Sequence, residues 1–143
     1  MKKFSLALLL AAIAVLFTGC VTQLNSDVSP DAKLQEVKKI FVVRLPNDER
    51  GIDKLIADRL SVMGKEATSG ERSEAPADAD AIVTYQDKWM WDITMYMIEL
   101  NVQVREPKSD IALATGHSLR TSLARKSPAE MVAEVLNDIF KTR

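Results

Sequence analysis

One cysteine, one histidine and five glycines in 143 residues leave little material for several kinds of chemistry. A single thiol, Cys20, permits no disulfide within the chain and no cysteine-based metal cage. A single imidazole, His117, excludes any site that needs two, and leaves a Ser-His-Asp arrangement conceivable only around that residue. No Gly-x-Gly-x-x-Gly or Gly-x-x-x-x-Gly-Lys run is present, so neither a dinucleotide loop nor a phosphate-cradling loop is expected, and the sequence implies no cofactor and no metal. Gly-x-Ser-x-Gly is also missing, so Gly116-His117-Ser118 is not a nucleophile elbow. Basic charge is not in excess either: 19 Lys and Arg meet 20 Asp and Glu, without the basic stripe of a nucleic-acid binder.

What is present is an ordinary globular composition, 47% hydrophobic and 27% charged, enough to bury a core without staples. The N-terminus is organised differently from the rest. Lys2 and Lys3 form a positive start, Phe4 to Phe17 an apolar run broken only by Ser5, and Thr18-Gly19 a small-residue cleavage site, the order of an export signal spanning 1–19. Fourteen helical residues cover about 21 Å against a hydrocarbon core of about 30 Å, so a processed leader fits better than a stable transmembrane span. Loss of Lys2 and Lys3 with it leaves 17 basic and 20 acidic side chains. An unpaired thiol in an oxidising compartment is unusual, and consumption of the Cys20 sulfur by lipid accounts for it.

Leu16-Phe17-Thr18-Gly19-Cys20 resembles the lipobox of bacterial lipoproteins, departing from it at Phe17, where an aliphatic residue is usual. The resemblance implies cleavage after Gly19 and a diacylglyceryl group on Cys20. Two or three acyl chains, at about 0.8 kcal/mol per buried CH₂, make such an anchor effectively permanent. Val21 in place of Asp implies, for a Gram-negative host, transfer to the outer membrane on its periplasmic side. The implied partner is then the lipid bilayer, reached through acylated Cys20.

Residues 20–37 read as a lipidated start followed by a tether, because Val21 to Glu36 is polar, contains Pro30 and has no sustained period. A single domain is expected over 38–143. Ile40 to Leu45 is a short β-branched run suited to a strand covered on both sides. Ile52, Leu55, Ile56, Leu60 and Met63 recur at helical spacing, with Gly64 as the stop. Lys65 to Asp80 reads as a loop with room for a brief edge strand. Ile82 to Tyr85 begins a strand that continues through Trp89 and Trp91. Tyr96, Ile98, Leu100, Val102 and Val104 then alternate with polar neighbours, the pattern of a strand with one buried face. Pro107 to Asp110 supplies a turn, and Ile111 to Thr121 a return strand with Ile111, Leu113 and Leu119 on one side. Ser127, Pro128 and Glu130 make a capping box ahead of an apolar stripe of Met131, Val132, Val135, Leu136, Ile139 and Phe140. The order β-α-β-β-β-α predicts an α+β fold, a two-layer sandwich of mostly antiparallel sheet with two helices on one face.

That order, with Asp80 to Tyr85 and Trp89-Met90-Trp91-Asp92, is similar to small Gram-negative envelope lipoproteins of unknown function. At fold level alone it resembles the lipopolysaccharide-assembly and curli-secretion lipoproteins. Four features are candidates for function. Tyr85, Trp89 and Trp91 share strand parity, which suits either a platform for a sugar or partner chain or packing beneath the helices. Ala112, Ala114, Gly116 and Ser118 form a small-residue face, a trough for a backbone or acyl chain if left uncovered. Arg120, Arg125 and Lys126 are able to meet lipid phosphates, or to stand as solvated charge. Asp87 and Asp92 flank a strand turn and need no acid-base purpose. The sequence therefore points to a membrane-anchored, non-catalytic binding or assembly module that meets an envelope protein complex or a cell-wall polymer. The alternative is a periplasmic hydrolase built around His117.

Overall fold

The computed structural model describes residues 22–141; the expected leader, its cleavage site and Cys20 lie outside them. In chain order the elements are β1 (Thr22–Val28), β2 (Lys39–Val43), α1 (Ile52–Val62), β3 (Glu66–Gly70), β4 (Ala81–Asp92), β5 (Thr94–Arg105), β6 (Ala112–Arg120) and α2 (Pro128–Phe140). The strands form one sheet in the order β1-β6-β5-β4-β2-β3. Its β1, β6, β5 and β4 run antiparallel, whereas β2 pairs in parallel with both β3 and β4. The fold is α+β as expected, but the sheet is mixed rather than mostly antiparallel, because α1 carries the chain back to start β3 in the direction of β2.

Part of the segment expected to be a tether belongs to the sheet. Thr22 to Val28 pairs with Arg120 to Ala114 along β6, and Leu34 is buried in the core. An edge strand is held through its backbone and leaves most of its side chains wet, so its sequence lacks the apolar alternation that marks an interior strand.

Both helices cover one face. Ile52, Ile56 and Leu60 of α1 meet Ile40, Val42, Val83, Leu100, Val102 and Val104 in a core that also takes Met131, Val135, Leu136 and Ile139 of α2. α1 ends as its sequence implies: Gly64 adopts φ 84, its N–H donates to Ser61 O, and Lys65 N–H donates to Leu60 O, the paired closure of a Schellman turn. α2 begins with the expected box, Glu130 N–H donating to Ser127 Oγ and Ser127 N–H to Glu130 Oε2.

The small-residue face of β6 is not a trough. Ala114, Gly116 and Ser118 are buried beneath α2, and a Cβ on Gly116 would lie 2.7 Å from Val135 Cγ1 and from Ile139 Cδ1. Small side chains here let a helix approach the sheet closely. Gly116→Ala is accordingly expected to overpack this contact and lower stability by about 1–3 kcal/mol. The measurable result is a lower urea midpoint with an unchanged slope.

Alternation along β5 is interrupted. Lys88 pairs with Glu99 but Trp89 pairs with Met97, so Ile98 is an extra residue that reverses the phase of everything before it. Met97, not Ile98, therefore joins the core beside Leu100. A second irregularity sits where Val104 pairs with Ala114 and Arg105 with Ala112. Leu113 packs against the core, whereas Ile111 lies outside the strand and is exposed.

Candidate functional site

The sheet face away from the helices carries a grid of polar side chains. Register places Thr84, Gln103, Thr115 and Asp27 in one cross-strand row, Gln86, Asn101, His117 and Asn25 in the next, and Lys88, Glu99, Leu119 and Gln23 in a third. Adjacent rows on one face are about 7 Å apart along the strands, and strands about 4.8 Å apart across them. The signal for this face was the polar half of the β5 alternation, read only as a wet surface.

Glu99 organises the middle of the grid. Its Oε1 accepts from Asn101 Nδ2 at 3.1 Å and lies 3.2 Å from His117 Nε2. Those contacts, Asn101 first, hold its carboxyl below the ordinary glutamate value. Among the described residues no hydroxyl hydrogen-bonds to the His117 ring, whose side-chain partner is Glu99. Towards β2 the face deepens into a cleft of about 330 Å³ lined by Thr84, Gln86, Asn101, Gln103, Arg105 and Arg72. Arg105 spans it, donating from Nη2 to Gln103 Oε1 at 2.5 Å and from Nη1 to the Asp110 carbonyl at 2.7 Å.

The three aromatic residues do not form one platform. Tyr85 is buried, donating its hydroxyl to Asp48 Oδ2 at 2.6 Å and accepting from Leu45 N–H. Burial first, and then the Asp48 carboxylate, push that phenol well above its usual range. Trp89 is half-buried against the core with the Arg50 guanidinium 4.1 Å from its ring centre, and donates Nε1–H to Asp87. Trp91, on the same side of the hairpin, is 70% exposed.

The three cations differ as well. Arg120 is mostly buried and clamps Glu134 through Nε at 3.0 Å and Nη2 at 2.5 Å. Lys126 joins the same carboxylate. Arg125 lies 4.1 Å over Tyr96 and donates to Thr94 Oγ1 and to the carbonyl and carboxylate of Asp92, each at 3.0 Å. These guanidinium groups hold the fold together at the end of β6 where β5 turns out of β4.

That end has a feature the sequence reading missed. Met90, Trp91, Ile93 and Met95 are all exposed large apolar residues on the β4–β5 hairpin, with Leu123 exposed on the turn after β6. Ile93 forms the tip at φ 63, a conformation strongly disfavoured for a β-branched side chain. Seven of the nine residues from Trp89 to Met97 are apolar, with no glycine, proline or asparagine among them to mark a turn, and that density was the available signal.

The class defined by these observations is an α+β sandwich with one face closed by helices and the other presenting polar side chains. No protein-family model matches the chain, and no curated protein matches it. Among solved structures it is similar to the PelC dodecamer from Paraburkholderia phytofirmans, at 13% identity and a TM-score of 0.61 in two crystal forms. The likeness covers 82% of this chain and 96% of that one in a point variant, and 86% and 100% in the other form. At that identity the likeness concerns the fold alone. A PDZ domain protein from Parabacteroides distasonis matches 93% of this chain and 39% of its own length, at 9% identity and a TM-score of 0.49.

Proposed function

We propose that this chain is an envelope lipoprotein, anchored through acylated Cys20 at the periplasmic side of the outer membrane, whose domain is a non-catalytic binding or assembly module. The observation that carries the binding role is the open polar sheet face. Gln86, Asn101 and Gln103 stand on adjoining rows of neighbouring strands, offering amide donors and acceptors at a regular spacing to a hydrogen-bonding partner such as a cell-wall polymer or a strand of an envelope protein. Likeness in fold to a protein that crystallises as a dodecamer supports the assembly half of the reading. The hydrolase alternative draws no support from His117, whose ring contact is Glu99.

The test uses a photo-crosslinking benzophenone amino acid placed at Asn101 or at Gln86, in the lipidated protein in its host envelope. Adducts are expected at both positions and not with the same group at Lys54 on α1, and Cys20→Ser is expected to abolish them by releasing the domain from the membrane. Adducts equal at all three positions, or unchanged by Cys20→Ser, would refute the reading.

A further inference from the structure

Five of the eight exposed large apolar side chains among the described residues, Met90, Trp91, Ile93, Met95 and Leu123, lie on the β4–β5 hairpin or on the turn after β6. Ile93 is 88% exposed and Trp91 70%, with Met90, Met95 and Leu123 around them. The folded domain gains little burial from Ile93, Leu123 and Trp91, and at Ile93 it also holds a strained backbone. Contiguous exposed apolar surface of this kind marks a contact with something other than water. The hairpin is also well fixed: Arg125 ties Asp92 and Thr94 together and covers Tyr96, so the tip is presented rather than loose.

The chain itself says what lies opposite this tip. Thr22 pairs with Arg120, one residue beyond the row in which Leu119 pairs with Glu99 and Glu99 with Lys88. The start of β1 is thus level with Trp89, at the same end of the sheet as the hairpin. Trp91 lies two residues further out along the strand, about 7 Å at 3.3 Å per residue. Cys20 stands two residues before Thr22 in the sequence, so its Cα is within about 8 Å of that of Thr22 whatever path joins them. β1 and β5 are separated only by β6, about 10 Å across the sheet. Acyl chains on Cys20 would therefore bring a lipid surface to the level of the exposed apolar cluster.

We infer that the β4–β5 tip, with Leu123 beside it, enters the interfacial layer of the bilayer that holds Cys20, giving the domain a second membrane contact and a fixed orientation. The inference rests on the lipoprotein reading. Tryptophan suits such a position because its ring is apolar and its N–H reaches the headgroup level. With the tip embedded, the strands run into the membrane surface, and the polar grid faces sideways along it rather than towards the lipid.

The mature lipidated protein, with its acyl chains on Cys20 verified by intact mass, is reconstituted into phosphatidylethanolamine–phosphatidylglycerol vesicles with and without brominated acyl chains. Brominated lipid is expected to quench tryptophan emission; Trp89→Phe keeps most of that quenching and Trp91→Phe loses most of it. A lipidated protein that shows no quenching, or equal quenching in Trp91→Phe, overturns the insertion and leaves the anchor in place. A mature chain without lipid on Cys20 overturns both. Burial of the tip by a second copy also overturns it, and would appear as an oligomer in lipid-free detergent that Ile93→Asp converts to monomer.

Discussion

Glu134→Ala is expected to destabilise the domain by about 2–3 kcal/mol, below the range of about 3–5 for removing one partner of a fully buried ion pair because this pair is only mostly buried. Glu134 and Arg120 are 11% and 14% exposed, and the same carboxylate accepts from Ser118 Oγ at 2.6 Å and from Lys126. Without it, the mostly buried Arg120 guanidinium and the fully buried Ser118 hydroxyl lose their shared acceptor beneath α2. Burial alone pushes the Glu134 carboxyl up, but hydrogen bonds from Arg120, Lys126 and Ser118 outweigh it, and the net direction is below the ordinary value of 4.5. A carboxyl depressed in the folded state adds stability that is complete above the unfolded-state pKa and disappears as pH falls through the folded-state value. Urea midpoints of the native domain should therefore drop as pH falls below about 4.5, and Glu134→Gln should flatten part of that decline. An unfolding free energy for Glu134→Ala within about 0.5 kcal/mol of wild type would mean that the clamp is not formed.

Asp48→Ala is expected to lower stability by about 2–3 kcal/mol, combining loss of a helix cap with loss of the acceptor for a buried phenol. α1 opens at Gly51, which has no side chain to cap it. Asp48 does the capping from three residues upstream. Its Oδ1 accepts from the amides of Arg50 and Gly51, each at 2.8 Å, and its Oδ2 from Ile52 at 2.7 Å and from Tyr85 Oη at 2.6 Å. Burial again pushes this carboxyl up, and the Tyr85 hydroxyl with the backbone amides brings it below its ordinary value. A double-mutant cycle of Asp48→Ala with Tyr85→Phe separates the two contributions. Thermal unfolding of the four proteins should show a coupling of about 1 kcal/mol or more, and strict additivity would deny the Asp48–Tyr85 contact.

The elements legible in the sequence are those whose signals are local. The capping box and stripe of α2, the Gly64 stop and the apolar runs of β2 and β4 are all decided within a few residues. β1 was not legible, because an edge strand is held by backbone pairing with β6 about ninety residues away and keeps polar side chains. Gly116 reads as an open trough until a helix is placed over it. The Ile98 bulge reverses a phase that alternation alone would continue, which moves Met97 inward and Tyr96 to the far face. Parity joined Tyr85, Trp89 and Trp91; what divides them is distance along a hairpin that outruns the helical layer, a length no local pattern records. The polar half of β5 was visible as Glu99, Asn101, Gln103 and Arg105, but its continuation into a grid depends on the register with β4 and β6. Asp48 went unremarked because its partner, Tyr85, lies 37 positions away.

The pairing of β1 with β6 sets an order of events in folding. Residues 22–28 are synthesised early, and their partners at 114–120 belong to the last quarter of the chain. Closing so long a loop is slow compared with forming local turns and hairpins. The sheet is thus completed from the middle outward, and the first strand of the chain takes its place at the edge only after nearly all the rest has been made.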